Sequence, residues 1–205
     1  GGTATDIVGG NNGTHFNGPT PLAGQYVNNS LYFDGSNDYL DVPANSTPLQ
    51  LGTSELTVDA WIKWHSTSTS VNDEIVTQSG YRFRLVDSGT SASLLLWLTG
   101  TASDKCIDFN APTVPGNQWV HVAATLEQQT DPIVCKLYIN GTLVHQGSPP
   151  GVNNLSTNGA ARIGAAFPSG ADFKGLIDEV EIFNRALDQS EIKDIYDAGS
   201  AGKCV

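Results

Sequence analysis

The chain has 205 residues, ten Lys or Arg against 21 Asp or Glu, and a formal net charge of −11. A nucleic-acid partner needs a basic patch that releases counterions from phosphates, which so few scattered cations do not supply, and acidic membranes are disfavoured for the same reason. Divalent cations and neutral sugars stay compatible, and no apolar run approaches the roughly 18 residues of a membrane-inserted helix.

Only 15% of residues are charged, and Gly, Ser, Thr and Asn are abundant, which suits many turns between short strands. There is no methionine, so we expect a processed or excised segment; a signal peptide already removed leaves no trace. In chain order, an opening strand is followed by "SLYFDGSNDYLDV" (30–42), two strands joined by an Asp-Gly-Ser-Asn turn. "ELTVDAWIKW" (55–64) alternates, with Leu56, Val58, Ala60, Ile62 and Trp64 on one side and Thr57, Asp59, Trp61 and Lys63 on the other. "YRFRLVDSGTSASLLLWL" (81–98) reads as a hairpin, and "QWVHVAATL" (118–126) as a strand. In "VCKLYINGTLVHQG" (134–147), Asn140-Gly141 between apolar runs is a strong hairpin signal, because both turn residues must accept φ > 0. "GSPPGVNNLSTNG" (147–159) is a long loop before the strand "AARIGAAF".

One helix is predicted, over "LDQSEIKDIYDAG" (187–199). Asp188 and Glu191 form a capping box, Leu187 and Ile192 a hydrophobic staple, and Gly199 an αL terminator. Without a linker or internal repeat, residues 1–205 read as a single all-β domain of two face-to-face antiparallel sheets. Cys106, Cys135 and Cys204 fit no metal or redox spacing, and the odd count leaves one thiol free or paired outside the chain. Cys106 and Cys135 are candidates to bridge neighbouring strands, provided their Cα atoms come within about 7 Å.

"YFDGSNDYLDV", "LTVDAWIKW", "WVHVAATL", "KLYINGTLV" and "GLIDEVEIFNRALDQSEIKDIYDAG" occur in that order. Together they resemble LamG-like (laminin G-like) jelly-roll domains of the concanavalin A-like lectin/glucanase superfamily, from about Asp6 to Gly199. The resemblance implies a curved sandwich, a secreted or cell-surface location within a larger protein with neighbouring domains, and adhesion or carbohydrate-binding roles. It also implies a structural calcium ion. Matching motifs nominate Asp34 and Asp178 as ligands, with Asp6, Asn12, Gly13 and nearby carbonyls of the N-terminal loop completing the shell.

Some relatives are glucanases, and retaining hydrolysis needs two carboxyl groups roughly 5–5.5 Å apart. Regular strand parity puts Ile177, Glu179, Glu181 and Phe183 on one side and Leu176, Asp178, Val180 and Ile182 on the other, with Leu176 where those enzymes carry an acid. On this count the chain is no enzyme, and glycoside hydrolysis stays a remote alternative. No nucleophile elbow, zinc helix or P-loop is present, His121 reads as a packed strand residue, and "GGNNG" (9–13) opens no helix. Asp178, on an otherwise apolar face, needs either a cation or hydrogen bonds from backbone or Arg185. Glu179 and Glu181 read as solvated.

Sugar binding needs aromatic platforms with a few directed polar groups, for which Trp64, Tyr81, Arg84 and Trp97 are the candidates. Trp61 and Trp119 read as core. Sequons at Asn12, Asn28, Asn45, Asn140 and Asn154 mark polar turns. The expected function is a non-catalytic extracellular module that binds glycans or surface proteins and is stabilised by calcium. The alternative is a purely structural spacer or assembly module.

Overall fold

Alternation of apolar and polar residues gives each strand an inward and an outward side, and two sheets bury their inward sides against each other. The computed structural model describes residues 3–6, 10–23, 29–43, 55–65, 72–98, 105–108, 110–128, 130, 132–149, 159–167 and 170–201. Within them lie β1 (Thr3–Ala4), β2 (Gly13–Phe16), β3 (Thr20–Ala23), β4 (Asn29–Asp34), β5 (Tyr39–Val42), β6 (Leu56–Trp64), β7 (Asp73–Gln78) and β8 (Tyr81–Asp87). They are followed by β9 (Ser91–Leu98), β10 (Lys105–Cys106), β11 (Val114–Pro115), β12 (Val120–Glu127), β13 (Val134–Ile139), β14 (Thr142–Gly147), β15 (Ala161–Ile163) and β16 (Lys174–Phe183). Helix α1 (Gln189–Ala198) and a 3₁₀ turn, Gly199–Ala201, follow. Most of the expected loop at 147–159, and the sequons at Asn28, Asn45 and Asn154, lie outside the described residues.

Nine strands form one sheet, in the order β1-β2-β5-β15-β7-β8-β9-β10 with β11 beside β9; seven form the other, β14-β13-β12-β6-β16-β4-β3. The core between them holds Phe33, Ile62, Trp64, Tyr81, Phe83 and Phe173. This is the all-β, two-sheet jelly-roll sandwich with one short C-terminal helix that the sequence predicts. The 30–42 segment is a corner rather than a paired ladder, because β4 belongs to the seven-stranded sheet and β5 to the nine-stranded one. Asn140 and Gly141 take φ of 50° and 70° and close the β13–β14 hairpin. Cys106 and Cys135 are bridged, with Cα atoms 6.1 Å apart, and tie β10 of one sheet to β13 of the other.

Strand β6 alternates as expected, yet its outward residues Thr57, Asp59 and Trp61 are buried too. Helix α1 covers them. The Asp188 carboxylate accepts from the Ser190 and Glu191 amides, and the Glu191 side chain accepts from the Asp188 amide. Leu187 and Ile192 pack on Ala123 and Tyr138 of the outward face, and Tyr196 stacks on Trp61 at 5.7 Å. The Thr57 hydroxyl donates to the Arg185 carbonyl and accepts from the Leu187 amide, fixing the chain as it enters the helix. Gly199 has φ 52° but ψ −142°, so the expected αL stop is instead a passage into the 3₁₀ turn.

Strand β16 departs from the parity expected of it. Asp178 pairs with Trp61 and Glu181 with Asp59, so two residues, Glu179 and Val180, stand against Ala60 alone. This is a β-bulge, and Glu179 supplies its left-handed residue at φ 48°. Parity inverts beyond it. Val180 and Ile182 face the core, Phe183 faces the helix, and Glu181 joins Asp178 on the outward side.

Candidate functional site

Two of the four predicted sugar-contacting residues meet and two do not. Trp64 and Tyr81 lie on inward positions and are 0% exposed, so neither offers a platform; burial also pushes the Tyr81 hydroxyl pKa up. Arg84 and Trp97 stand together on the outward side of the nine-stranded sheet, the guanidinium carbon 4.6 Å from the ring centroid. Arg82 lies over the same ring at 5.3 Å.

Around this pair the ladder builds a row. Register aligns Thr14 with Asp41, Asp41 with Arg162, Arg162 with Thr77, Thr77 with Arg82 and Arg82 with Trp97. Five inter-strand steps at about 4.8 Å make the row about 24 Å long. Beside it, Phe16 stacks on Tyr39 at 4.9 Å. Arg162 lies between two rings, 3.8 Å from Tyr39 and 4.0 Å from Phe167. The half-exposed or exposed tops of this face are Phe16, Tyr39, Phe167, Arg82 and Trp97.

Ion pairs hold the row in place. Glu74, fully buried, lies 3.2 Å from Arg84 and 3.6 Å from Arg82, and its other oxygen accepts from Thr77. Burial pushes the Glu74 pKa up, opposed by Arg84 and then Arg82. Asp41 takes Arg162 through Nε and Nη2 at 2.7 and 3.1 Å. Such two-point pairing fixes the plane of a guanidinium as well as its position. Among these groups sequence reasoning singled out only Arg84 and Trp97; the alternation in "YRFRLV" was the signal that also places Arg82 outward.

The expected cation ligands do not share a site. Asp34 pairs with Lys174, and Asp178 lies four residues further along the same strand, about 13 Å away at 3.3 Å per residue. Ligands of one calcium ion, each about 2.3–2.6 Å from it, lie far closer together than that. Asp6 and Asn12 belong to the β1–β2 connection on the other sheet. There the Asp6 amide donates to the Asn12 side chain and Asn11 donates twice to the Asp6 carboxylate. Gly13 is buried against Leu40, where a Cβ would come within 2.7 Å of that side chain. Asp178 accepts from the Glu179 amide, while Arg185 pairs with Glu191 instead. Among the described residues, Cys106, Cys135 and His145 gather closely enough to hold a metal, but the two sulfurs are joined to each other.

A second polar group lies beneath α1. His121 Nε2 is 3.3 Å from Asp59 Oδ1, both side chains fully buried. Trp61 lies 5.3 Å from the His121 ring, while Asp178 and Glu181 occupy the neighbouring outward positions on β16.

Residues 34–193 match the family model described as the concanavalin A-like lectin/glucanases superfamily. The structure is similar to a heptameric SAP-like pentraxin from Limulus polyphemus, at 16% identity and a TM-score of 0.63, covering 82% of this chain and 81% of that one. It is also similar to domain 4 of an extracellular arabinanase from Geobacillus stearothermophilus, solved with arabinotriose, at 20% identity and a TM-score of 0.64 over 90% and 87% of the two chains. The binding domain of Paraclostridial Mosquitocidal Protein 1 aligns at 18% identity and a TM-score of 0.69, over 95% of this chain but 49% of that one. Comparison with curated protein sequences finds no match.

Proposed function

We propose, for a chain that belongs to the concanavalin A-like lectin/glucanases superfamily, that it is a non-catalytic module whose outward nine-stranded face binds a carbohydrate. The observation that carries this reading is the outward face from Trp97 to Phe16, on which rings alternate with guanidinium groups paired to the buried Glu74 and the half-buried Asp41. Sugars stack their C–H faces on such rings and direct hydroxyl groups to fixed polar atoms. The similar solved structures support it, since they include binding domains and a domain solved with arabinotriose. Arabino-oligosaccharides are therefore the first probe.

A disulfide between the sheets favours an oxidising compartment, and among the described residues no helix is long and apolar enough to cross a membrane. Secretion or surface display, beside neighbouring domains of a larger protein, fits both. The five donors named for calcium do not converge, so this reading is built without the ion.

A glycan array followed by titration of Trp97→Ala and Tyr39→Ala tests the proposal. Binding is expected for the parent chain and at least a tenfold loss for each variant. An array with no signal from a folded sample refutes it. A second reading, an assembly module that holds neighbours by its edges, draws on β3, whose four residues are all exposed at the rim of the seven-stranded sheet. Association that Leu22→Lys abolishes, with no glycan bound, would favour it.

A further inference from the structure

The charge of the row narrows the class of sugar, given the carbohydrate reading above on which this inference rests. The chain carries four arginines and a net charge of −11, yet Arg82, Arg84 and Arg162 all stand on this one outward face. Asp41 neutralises Arg162 by two-point pairing. Among the described residues Arg82 and Arg84 share the single acid Glu74, so there this end of the row holds one positive charge more than its acids cancel.

Donor capacity is in excess as well. Each guanidinium has five N–H donors and no acceptor. The Nε of Arg84, a residue 7% exposed, has no hydrogen-bond partner among the described residues. Arg82 Nη2 donates to the Phe167 carbonyl at 3.2 Å, and its side chain is 26% exposed. Arg82, the more exposed of the two, is therefore the group that presents the surplus charge to a ligand, its guanidinium over the Trp97 ring at 5.3 Å. A planar guanidinium matches a carboxylate by two parallel hydrogen bonds, and the adjoining indole takes the sugar ring that bears it.

We propose that this face selects an acidic oligosaccharide of the uronic-acid type, its carboxylate docked at Arg82 beside Trp97 and its chain running across the strands toward Tyr39 and Phe16. The row, about 24 Å across five strand spacings, accommodates several sugar units, so affinity grows with chain length before it levels off.

The test is calorimetric titration with uronate oligosaccharides of increasing length, drawn from polygalacturonate, polymannuronate and hyaluronan, each beside its methyl ester. The ester keeps the skeleton and removes the charge. Acid forms are expected to bind at least tenfold tighter than their esters, and Arg82→Gln to reduce that ratio to about one. Equal affinity of acid and ester would overturn the acidic preference while leaving the carbohydrate reading intact. A preference that survives Arg82→Gln would overturn this docking point. If no uronate binds while the array returns a neutral glycan, the inference fails; if neither binds, the carbohydrate reading beneath it fails too.

Discussion

Asp73 is a carboxyl placed where an apolar side chain is usual, and the loss of its proton makes stability fall as pH rises. It opens β7 opposite Leu85, is 0% exposed, and takes the Trp64 indole N–H on Oδ2 at 3.1 Å. Its Oδ1 has no partner among the described residues. Burial pushes its pKa from 3.8 to about 7, opposed by the Trp64 hydrogen bond and reinforced by the charges of Asp87 and Glu74. A carboxyl with a folded pKa above its unfolded one keeps its proton more tightly in the folded state. Its contribution is therefore complete below pH 3.8 and is lost as the pH climbs toward 7. A rise of roughly three units at 1.36 kcal/mol each gives about 4 kcal/mol across that window. Asp73→Asn keeps an oxygen for Trp64 and stays neutral throughout. Its buried amide adds a pH-independent cost of about 1–3 kcal/mol, so the slope carries the result. Urea unfolding of both proteins at pH 4, 5.5 and 7.5, with the disulfide intact, should show Asp73→Asn gaining on the parent as pH rises. Parallel stability curves over that range would refute the reasoning.

Three further outcomes follow from particular contacts. Replacing Cys106 and Cys135 together by Ser frees a loop spanning 29 positions of sequence. Loop entropy sets the cost at about 3.5 kcal/mol, and a loss below about 1 kcal/mol by denaturant unfolding contradicts that account. Glu179→Gly removes the left-handed strain at φ 48° and should stabilise by up to about 1 kcal/mol, whereas Glu179→Val should destabilise; a more stable Val variant would show the bulge has no such strain. Because the predicted calcium ligands lie on separate parts of the sandwich, EDTA should leave the thermal midpoint unchanged. A drop of several degrees, restored by calcium, would reveal a cation held by other donors.

Much of the fold was legible because it rests on local signals. Alternation in β6, the Asn140-Gly141 turn and the Asp188/Glu191 capping box each depend on residues close in sequence, and each appears in the structure. The proposed binding face was legible only in part, because it depends on register between distant strands. Nothing near Arg162 announces that Asp41, 121 positions away, will take two of its hydrogen bonds. Trp64 and Tyr81 carry the residue types of a platform, and parity along β6 and β8 turns them into the core instead. Asp34 and Asp178 carry the chemistry of a calcium pair, but the β4–β16 register sets them apart.

The acids of β16 show how one inserted residue changes an argument without reversing its outcome. Regular alternation separates Asp178 from Glu181 by face, and that separation argues against hydrolysis. The bulge removes the separation, since both now stand outward, with Asp59 directly across from Glu181. Cross-strand neighbours lie about 5 Å apart at Cβ, so the two carboxyl groups stand on adjacent strands of one face. Burial restricts access to two of these acids. Asp59 is 0% exposed and lies against His121, Asp178 is 8% exposed, and the Tyr196 ring stacks on Trp61 above the same face. Glu181 is half-buried, whereas for a sugar to reach Asp59 and Asp178, α1 would have to leave. That means undoing its capping box, the Leu187 and Ile192 packing and the Arg185–Glu191 pair together. Across the sandwich, no helix covers the Arg82–Trp97 end of the row among the described residues, and Arg82 keeps a quarter of its side chain in solvent. The two faces of this molecule thus differ in their polar groups: Asp59 and His121 are closed beneath a helix, whereas Arg82 and Asp41 on the other face are partly exposed.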